Sequence, residues 1–325
     1  MLACGPDGEL SRAAKLDKIP VWEVPMRGEW DAMAAWRLGN LANEVDVVHA
    51  QTVNAHTLAL LAVRIGTWRP VVVNRRGDIR SIGGAFARWK NRAADCFVAN
   101  SESVAKFLKT TGISSRKIRI VHSGVDLMSI EGAPRKDIRA ELGLPESTPI
   151  IGNVTHLDEH KGHRYLIEAM PEILRYLPAV HAVIGGKGEK ENELKNMSQR
   201  LGVEQRVHFI GYRRDAHSII KSFDVYVVPS HIEGFGTCLL DAVAAGAPVA
   251  ATSVGGVAEI INDGVEGALF APGDPRALAT SVAGLLKNPA RAKKMAEAAS
   301  ARLRKQFTDE IMVKGMLGVY KEVVA

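Results

Sequence analysis

The chain has 325 residues, of which 46% are hydrophobic and 24% are charged, an ordinary composition for a folded globular protein, and its length permits two domains. No apolar run approaches the length of about 18 residues that indicates a membrane span, and the first residues lack the basic and apolar regions of a signal peptide. Three scattered cysteines give no disulfide framework and no metal-ligand spacing, and they fit a reducing compartment.

Positive charge is concentrated in the first part of the chain. Residues 1–125 hold 18 lysines and arginines against 11 aspartates and glutamates, whereas the remainder holds 24 against 25. This imbalance predicts contact with something anionic, such as a membrane surface or a phosphorylated acceptor. The alternative is that the surplus charge only maintains solubility. Nucleic acid is not predicted as a partner, because no helix-turn-helix, zinc or aromatic single-strand motif accompanies the charge.

Strands and helices are predicted to alternate through the first part of the chain. Short apolar runs indicate strands, and apolar residues at helical spacing indicate amphipathic helices. This alternation is typical of a parallel α/β sheet. The predicted strands are 21–24, 45–50, 71–74, 96–99 and 118–121, and the predicted helices are 9–16, 31–42, 56–65, 83–94 and 101–109, the last capped by Ser101.

The helix predicted over 83–94 combines apolar residues such as Phe86 and Trp89 with basic ones such as Lys90. Such a helix can lie on a membrane surface. The alternative is that its apolar stripe packs into the core and its charges face solvent.

Polar residues follow two of these predicted strands. His49 and Gln51 lie at the end of one, and Arg75 and Arg76 follow the next. Ligands of doubly wound sheets bind at the carboxyl ends of the strands, and two adjacent arginines suit a phosphate or carboxylate. The alternatives are solvated arginines and a strand-end histidine that has only a structural hydrogen-bond partner.

A second alternating segment follows a stretch rich in proline, glycine and mixed charge at 127–149, which is predicted to be a linker. The last helix, 309–324, has an apolar face. The predicted strands are 150–154, 180–184, 207–210, 225–228, 249–251 and 268–270, and the helices are 163–177, one ending near 201, 235–245, 257–262 and further helices from 275 onward.

A glycine loop and two acids distinguish the stretch 230–259. Glu233 directly precedes the loop, and Asp241 lies in the small-residue helix that follows it. Seven residues separate Gly234 from Asp241, or roughly 700° of helical rotation, so Asp241 points to nearly the same face as the helix start. The N–H groups of Phe235, Gly236 and Thr237 at this start form an anion site. A nucleotide sugar has a diphosphate between two hydroxyl-bearing groups and fits this layout; the alternative is a helix-capping Glu233 and a solvated Asp241.

This stretch resembles the E-x7-E signature of the retaining glycosyltransferases of family 4, with Asp241 in place of the second glutamate. The resemblance continues through 249–259, Asp263-Gly264 and 272–274, and runs from about His49 to the end of the chain. It implies the GT-B fold, an α/β architecture of two Rossmann-like, doubly wound parallel-sheet domains facing a cleft. The implied parts are an acceptor-side domain at 1–126, a linker at 127–149, a nucleotide-sugar domain at 150–307, and a terminal helix at 308–325 that packs back on the first domain.

The resemblance also implies roles for individual residues. Lys161 corresponds to the family's diphosphate-binding lysine, and His156 stands where the family has an arginine. A lysine at the start of a helix opposes the helix dipole, which itself indicates a bound anion. Catalytic roles fall to Glu233, Lys161 and His49. The implied donor contacts are His156, Lys161, Gly185, Tyr212, Glu233, Gly234, Phe235, Gly236, Thr237 and Asp241, and the acceptor-side residues are His49, Gln51, Arg75 and Arg76.

The implied activity is transfer of a sugar, with retention, from a UDP-, GDP- or ADP-sugar to a glycan or glycolipid acceptor, such as a cell-envelope glycolipid or lipopolysaccharide core. No cofactor and no metal are expected, and the expected location is the cytoplasm, free or peripheral at the inner face of the membrane. One alternative is a non-catalytic nucleotide-sugar-binding protein, since the family's opening strand-loop-helix unit is not found in the first 45 residues and His156 replaces an arginine. A GT-B epimerase ranks lower, because it needs additional acids in the first domain.

Overall fold

The computed structural model describes residues 1–75 and 84–325. It contains two compact units, one formed by residues 1–121 with 314–325 and the other by residues 122–313. Each unit is built from parallel strands that alternate with helices. Within the described ranges, no helix is long and apolar enough to cross a membrane.

The first unit holds a two-stranded and a four-stranded parallel sheet. Strands β1 and β2 form the smaller sheet, and β3 to β6 pair in chain order in the larger one. Strand β5, one of the two inner strands of the larger sheet, is fully buried. The strands are β1 (Leu2–Cys4), β2 (Val21–Glu23), β3 (Val48–Ala50), β4 (Val71–Arg75), β5 (Cys96–Ala99) and β6 (Ile118–Ile120).

Three helices of the first unit begin at a residue whose side chain caps the helix. Asp31, Thr52 and Ser101 each accept a hydrogen bond from an N–H group of the first helical turn, so the predicted cap at Ser101 is confirmed. Strand β1 is only three residues long and was not predicted. The helices are α1 (Glu9–Leu16), α2 (Ala32–Ala42), α3 (Val53–Ile65), α4 (Ala85–Ala93) and α5 (Glu102–Thr110).

The second unit contains a six-stranded parallel sheet in the order β12-β11-β10-β7-β8-β9. The chain runs outward from β7 in one direction, then returns and runs outward from β10 in the other. Ligands of open α/β sheets bind at such a reversal, outside the carboxyl ends of the strands. The strands are β7 (Ile150–Val154), β8 (His181–Gly185), β9 (Val207–Gly211), β10 (Val225–Val228), β11 (Val249–Thr252) and β12 (Ala268–Phe270).

Helices cover both faces of this sheet and create a hydrophobic cluster on each. Because both faces are covered, the strands are continuous apolar runs rather than alternating ones. The helices are α6 (Leu127–Gly132), α7 (Ile138–Glu141), α8 (His163–Tyr176), α9 (Glu191–Arg200), α10 (Ala216–Ile220), α11 (Thr237–Ala244), α12 (Val257–Ile260), α13 (Pro275–Lys287), α14 (Pro289–Gln306) and α15 (Asp309–Val324).

The segment 127–149, which the sequence indicates as a linker, is folded into the second unit. It carries α6 and α7, and Ile130 and Ile138 are buried in the core. Arg139 is also buried and donates hydrogen bonds to the carbonyl oxygens of Thr148 and Ser222 and to the carboxylate of Asp224. The prolines and glycines of this segment therefore indicate irregular backbone and not a linker between domains. The buried Arg139 joins the segment to the residues directly before β10.

The last helix contributes to the core of the first unit. Val319 is buried in a cluster with Val72, Cys96 and Val98, and Tyr320 packs against the same cluster. This apolar contact explains why residues 314–325 belong to the first unit although they end the chain.

Candidate functional site

Two loops of the second unit meet at the carboxyl ends of β7 and β10. The first loop spans 155–162, the second spans 229–236, and the N–H group of His231 donates to the carbonyl oxygen of His160 at 3.1 Å. Gly162 has φ of 67°, and a Cβ atom there would lie 2.1 Å from the carbonyl oxygen of Pro229. Glycine is therefore required at this position both for its backbone angle and for the close approach of the two loops.

An ion pair joins the two loops. Lys161 Nζ lies 2.8 Å from Glu233 Oε2, and the two side chains are only 17% and 11% exposed. Ser230 Oγ donates a second, longer hydrogen bond of 3.3 Å to the same carboxylate oxygen. The structure therefore brings together two of the predicted catalytic residues, 72 positions apart in the chain.

The charge of Lys161 is maintained by its surroundings. Burial lowers the pKa of Lys161, but the charge of Glu233 and its hydrogen bond to Lys161 help to outweigh burial, and the pKa lies above its ordinary value. Burial also raises the pKa of the Cys238 thiol to about 12, so this thiol is neutral near pH 7. Glu233 is consequently the anion that compensates Lys161 in this pair.

Helix α11 presents its amino-terminal end beside this pair. Its N-cap is Gly236, with φ of 97° and no side-chain hydrogen bond to the first turn, so Glu233 is not a helix cap. The first N–H groups of an α-helix, here those of Thr237 and Cys238, have no partner within the helix. The helix begins two residues later than predicted, which shifts the expected anion site from 235–237 to the N–H groups of residues 237 and 238.

The loop before α11 is held by a second glycine contact. The N–H group of Gly256 donates to the carbonyl oxygen of Gly234 at 3.2 Å. A Cβ atom on Gly255 would lie 1.7 Å from the carbonyl oxygen of Glu233. Phe235 is buried, with its ring stacked on that of His122 at a centroid distance of 5.1 Å. Two of the predicted donor residues therefore hold the loop in place: Gly234 accepts a backbone hydrogen bond, and Phe235 packs its ring into the core.

Asp241 occupies a different environment from Glu233. Its side chain is 37% exposed, and the imidazole Nε2 of His217 lies 3.9 Å from its carboxylate. Burial raises the pKa of Asp241, and His217 offsets part of that effect. Among the described residues, His217 is the basic side chain that lies within 4 Å of the Asp241 carboxylate, and the sequence pattern did not indicate it.

The predicted donor residues outside these two loops fall into two groups. Gly185 ends β8, and the following Gly186 packs so closely that a Cβ atom would lie 1.8 Å from the carbonyl oxygen of Thr155. This glycine turn supports the backbone of the loop 155–162. His156 and Tyr212, in contrast, point to solvent: the side chain of His156 is 65% exposed with Nδ1 2.9 Å from Asp158, and Tyr212 is 62% exposed.

A buried polar network supports the same loops and was not predicted. His163, the first residue of α8, places Nε2 at 2.8 Å from Asn153 Oδ1, which can only accept, so this nitrogen carries the proton. Asn153 Nδ2 donates to the carbonyl oxygen of Val227 and so bridges β7 to β10. Burial, with a smaller contribution from Lys161, lowers the pKa of His163 to about 4. The imidazole is therefore neutral near pH 7 at the position where the loop 155–162 ends and α8 begins.

The predicted acceptor-side residues lie in the first unit. His49 Nδ1 shares a hydrogen bond of 2.6 Å with the hydroxyl of Tyr320, and the amide of Gln51 lies 3.2 Å from His49 Nε2. Asn74 Nδ2 donates to Gln51 Oε1 at 2.9 Å. Tyr320 and Asn74 are additions to the predicted set. Arg75 ends β4, but its side chain and the whole of Arg76 lie outside the described residues.

No group of three or more His, Cys, Asp or Glu side chains in the part of the chain that the structure describes is arranged to hold a metal ion. The described parts of the two predicted sites differ in chemistry. The second unit presents a charged, largely buried pair beside a helix start. In the first unit, the described side chains around His49, those of Gln51, Asn74 and Tyr320, are neutral hydrogen-bonding groups.

Comparison with known proteins places the chain among glycosyltransferases. The profile of the family described as glycosyl transferases group 1 matches residues 134–302, more than half of the chain, and that of glycosyltransferase family 4 matches residues 1–128. The chain is similar to the D-inositol 3-phosphate glycosyltransferase of Segniliparus rotundus, with 31% identity over 235 residues, 70% of this chain and 52% of that protein. It thus spans about half the length of such curated relatives.

Two further similarities agree with this result. The lipopolysaccharide core biosynthesis glycosyltransferase LpsE of Rhizobium meliloti is 28% identical over 226 residues, which cover 70% of this chain and 64% of LpsE. The structure of Anabaena HepE in complex with UDP and glucose matches with a TM-score of 0.87 at 23% identity, covering 99% of this chain and 91% of HepE. The structural match confirms the predicted GT-B fold class, and the family profiles establish that this chain belongs to the group 1 glycosyltransferases of family 4.

Proposed function

We propose that this chain transfers a sugar from a nucleoside-diphosphate sugar to an acceptor, with retention at the anomeric carbon. The observation that carries the proposal is the Lys161–Glu233 pair, 2.8 Å apart and largely buried, at the reversal of strand order and beside the start of α11. A cation beside a helix start whose first N–H groups have no partner within the helix favours a diphosphate. A carboxylate beside them suits the hydroxyl groups of a sugar.

UDP-glucose is the donor that we propose to test first. HepE, which shares the fold, has been solved with UDP and glucose and also with UDP-glucose. In the proposed complex, Lys161 and the N–H groups of Thr237 and Cys238 bind the diphosphate. Glu233 accepts hydrogen bonds from the sugar, and Asp241 accepts them from the ribose. His156 donates a further hydrogen bond to the diphosphate when its imidazole carries a proton on the nitrogen that faces it.

The reaction breaks the bond between the anomeric carbon and the β-phosphate oxygen and forms a bond from that carbon to an acceptor oxygen on the same face. The proton of the acceptor hydroxyl passes to the departing β-phosphate oxygen, so the charge is balanced. Negative charge develops on the diphosphate as the bond breaks, and a positioned cation with helical N–H groups stabilises that charge. Lys161 therefore lowers the barrier chiefly by binding the leaving group.

Acceptor recognition is assigned in this proposal to the first unit. Residues 1–121 and 314–325 together hold 20 lysines and arginines against 12 aspartates and glutamates. The neutral groups around His49, namely Gln51, Asn74 and Tyr320, suit the hydroxyls of a glycan. The excess of positive charge supports a cell-envelope glycolipid or lipopolysaccharide core as the acceptor class, with the protein working at the inner face of the cell membrane. The relative LpsE acts, by its name, in lipopolysaccharide core biosynthesis.

The donor assignment is tested by calorimetric titration of UDP-, GDP- and ADP-glucose into the wild-type chain and two variants. Glu233→Gln removes the charge that pairs with Lys161 and replaces one of the two acceptor oxygens by a donor, whereas Glu204→Gln changes an exposed glutamate elsewhere in the second unit. We expect one donor to bind with a dissociation constant of about 1 μM to 1 mM and to be weakened only by Glu233→Gln. A second assay then measures release of the nucleoside diphosphate in the presence of an acceptor glycolipid. An enzyme releases it with turnover, whereas a non-catalytic binding protein does not. Absence of binding to all three donors would refute the proposal.

A further inference from the structure

All five tryptophans of the chain are exposed, and all five lie in the first unit. Tryptophan side chains in folded proteins are highly buried on average, so this distribution is unusual. The exposed fractions are 39% for Trp22, 60% for Trp30, 52% for Trp36, 64% for Trp68 and 38% for Trp89. Exposed aromatic residues that lie together mark a surface that meets another apolar or interfacial partner.

Two of these tryptophans are part of an ordered aromatic ladder. The ring of Phe86 lies between Trp30, at a centroid distance of 4.5 Å, and Trp89, at 5.4 Å. The guanidinium group of Arg64 lies 5.2 Å from the centre of the Trp89 ring. The ladder therefore joins the segment before α2 to α4 and to the end of α3, and it places a cation beside an exposed ring.

A buried lysine, Lys90, connects the two segments that carry the tryptophans of the ladder. Lys90 is 2% exposed, donates to Thr57 Oγ1 at 3.1 Å, and has Nζ 3.6 Å from the carboxylate of Glu29. Glu29 directly precedes Trp30, and Lys90 directly follows Trp89. The two tryptophans thus project from a fixed base.

Helix α2, which begins directly after Trp30 and Asp31, adds further exposed residues next to the ladder in sequence. Met33 is 58% exposed and Trp36 is 52% exposed, and Arg37 is exposed beside them at helical spacing. Together, these residues form what we call the aromatic-basic surface. It consists of the aromatic ladder with Arg64, the exposed face of α2, and the exposed arginines of α4. Its members are Trp30, Met33, Trp36, Arg37, Arg64, Phe86, Arg88, Trp89 and Arg92.

The charge around this surface is positive. Helices α2 and α4 contain no aspartate or glutamate, whereas they contribute Arg37, Arg88 and Arg92 as exposed cations. The two acids that lie nearest in sequence are already engaged: Glu29 pairs with Lys90, and Asp31 caps α2 by accepting the N–H group of Ala34. A second copy of this chain would bring the same positive charge, so self-association through this face is disfavoured.

We propose that the aromatic-basic surface docks on an anionic lipid bilayer. Tryptophan is enriched where proteins meet the headgroup layer, because its ring is apolar and its N–H group can donate a hydrogen bond. Arginines beside the rings bind lipid phosphates, and the anionic surface attracts the whole basic unit. Trp30, Trp36 and Trp89 enter the interface, and Arg37 and Arg88 contact the headgroups. This proposal specifies the membrane contact of the proposed function, but it does not depend on the donor chemistry.

The test is flotation of the full chain with vesicles of phosphatidylcholine alone or of phosphatidylcholine mixed with anionic phosphatidylglycerol. Two variants carry the test: Trp36→Ala, and the double variant Arg37→Gln with Arg88→Gln, which leaves the ladder intact. Two matched controls are Trp68→Ala, an exposed tryptophan outside the surface, and Lys294→Gln, an exposed lysine of the second unit. The fold of each variant is checked by circular dichroism and thermal unfolding, which do not depend on donor binding. Nucleotide-sugar binding is measured in parallel, so that failure of one proposal is distinguishable from failure of the other.

We expect binding to anionic vesicles that is weakened by salt and is at least tenfold stronger than to neutral vesicles. Each arginine near the surface accounts for about a fivefold change in affinity, so the double variant is expected to bind roughly twenty-five times more weakly. Trp36→Ala is expected to weaken binding severalfold, and the two controls are expected to bind as the wild type. The proposal is overturned by equal binding to both kinds of vesicle, by absence of binding, or by an equal loss in Trp68→Ala. Self-association that Trp36→Ala abolishes, without vesicle binding, would assign the surface to a second copy instead.

Discussion

The two regions with predicted chemistry, the loops of the second unit and the cluster around His49 in the first, are built in opposite ways. In the second unit, Lys161 and Glu233 are largely buried and compensate each other's charge. The described groups around His49, namely Gln51, Asn74 and Tyr320, are neutral and are joined by side-chain hydrogen bonds. A buried charged pair is costly to break and keeps its geometry, whereas neutral surface groups reorient at little cost. Under the proposed function, this difference suits a site that binds one constant group, the diphosphate, and a surface that adapts to the acceptor.

The largest expected effect comes from the buried cation. In the proposed reaction, Lys161→Gln removes a positive charge from the place where the leaving diphosphate develops negative charge, and losing one such donor is expected to lower kcat by about 100- to 1,000-fold. The measurement is the steady-state release of nucleoside diphosphate with a saturating donor. Lys305→Gln, which changes an exposed lysine on α14, is the matched control and should retain full turnover. A loss below about threefold would show that Lys161 does not act on the leaving group.

The next effect concerns the glycine that brings the two loops together. Gly162→Ala places a Cβ atom 2.1 Å from the carbonyl oxygen of Pro229 at φ of 67°. Gly143→Ala is the control, because Gly143 has φ of 65° and nothing within 4 Å of such a Cβ atom. The control should lose about 1 kcal/mol of unfolding free energy from backbone strain alone, and Gly162→Ala about 3 kcal/mol or more. Equal losses in denaturant unfolding would mean that the close approach of the loops does not constrain the fold.

Acid should destabilise the second unit through His163. Its pKa in the folded chain is about 4, below the ordinary 6.5, so below pH 6.5 the unfolded chain binds the additional proton. Stability is therefore full above pH 6.5 and falls as the pH is lowered toward 4, by up to about 3 kcal/mol for this group.

The measurement for His163 is the unfolding free energy at several pH values. His163→Gln keeps a side-chain N–H donor for Asn153 and should reduce the slope between pH 6.5 and 4 by up to one proton. His181→Gln is a useful comparison, because burial lowers the pKa of His181 to about 4 as well, at the opposite end of the sheet. An unchanged slope in both variants would contradict these low pKa values.

The smallest effect is expected in the first unit. Tyr320→Phe removes the hydroxyl that shares a hydrogen bond with His49, and a single neutral bond of this kind corresponds to about a twofold to tenfold change. We expect this change in KM for the acceptor with no change in donor affinity. Tyr176→Phe removes a comparable hydroxyl from the second unit, where it bonds Glu172, and should change neither constant. A large fall in kcat for Tyr320→Phe would instead indicate that His49 takes part in the chemical step.

Local patterns explain how much of this molecule could be predicted from sequence. The buried runs at 150–154 and 225–228 are strands because both faces of a parallel sheet are covered, and the glycines at 234 and 236 indicate the tight loop before α11. The E-x7-E pattern located Glu233 and Asp241 correctly on either side of the helix start. Strand β1 escaped prediction because three residues carry too little periodicity.

What could not be predicted depends on contacts between distant parts of the chain. Lys161 meets Glu233 across 72 residues, and His49 meets Tyr320 across 271, so no local spacing reveals either pair. The partner of Asp241, His217, lies on a different helix. The segment 127–149 resembles a linker by composition, but its place in the second unit follows from the buried hydrogen bonds of Arg139. Such information exists only once the sheets have formed.

The central claim is that the Lys161–Glu233 pair and the start of α11 bind the diphosphate of the donor. The most direct test is calorimetric comparison of a nucleoside diphosphate with the corresponding monophosphate, using the base that the donor screen selects, in wild type and Lys161→Gln. We expect the wild type to prefer the diphosphate by about tenfold or more, a difference of about 1.4 kcal/mol, and the variant to lose most of that preference. The same preference in both proteins would contradict the claim and would place the diphosphate elsewhere on the chain.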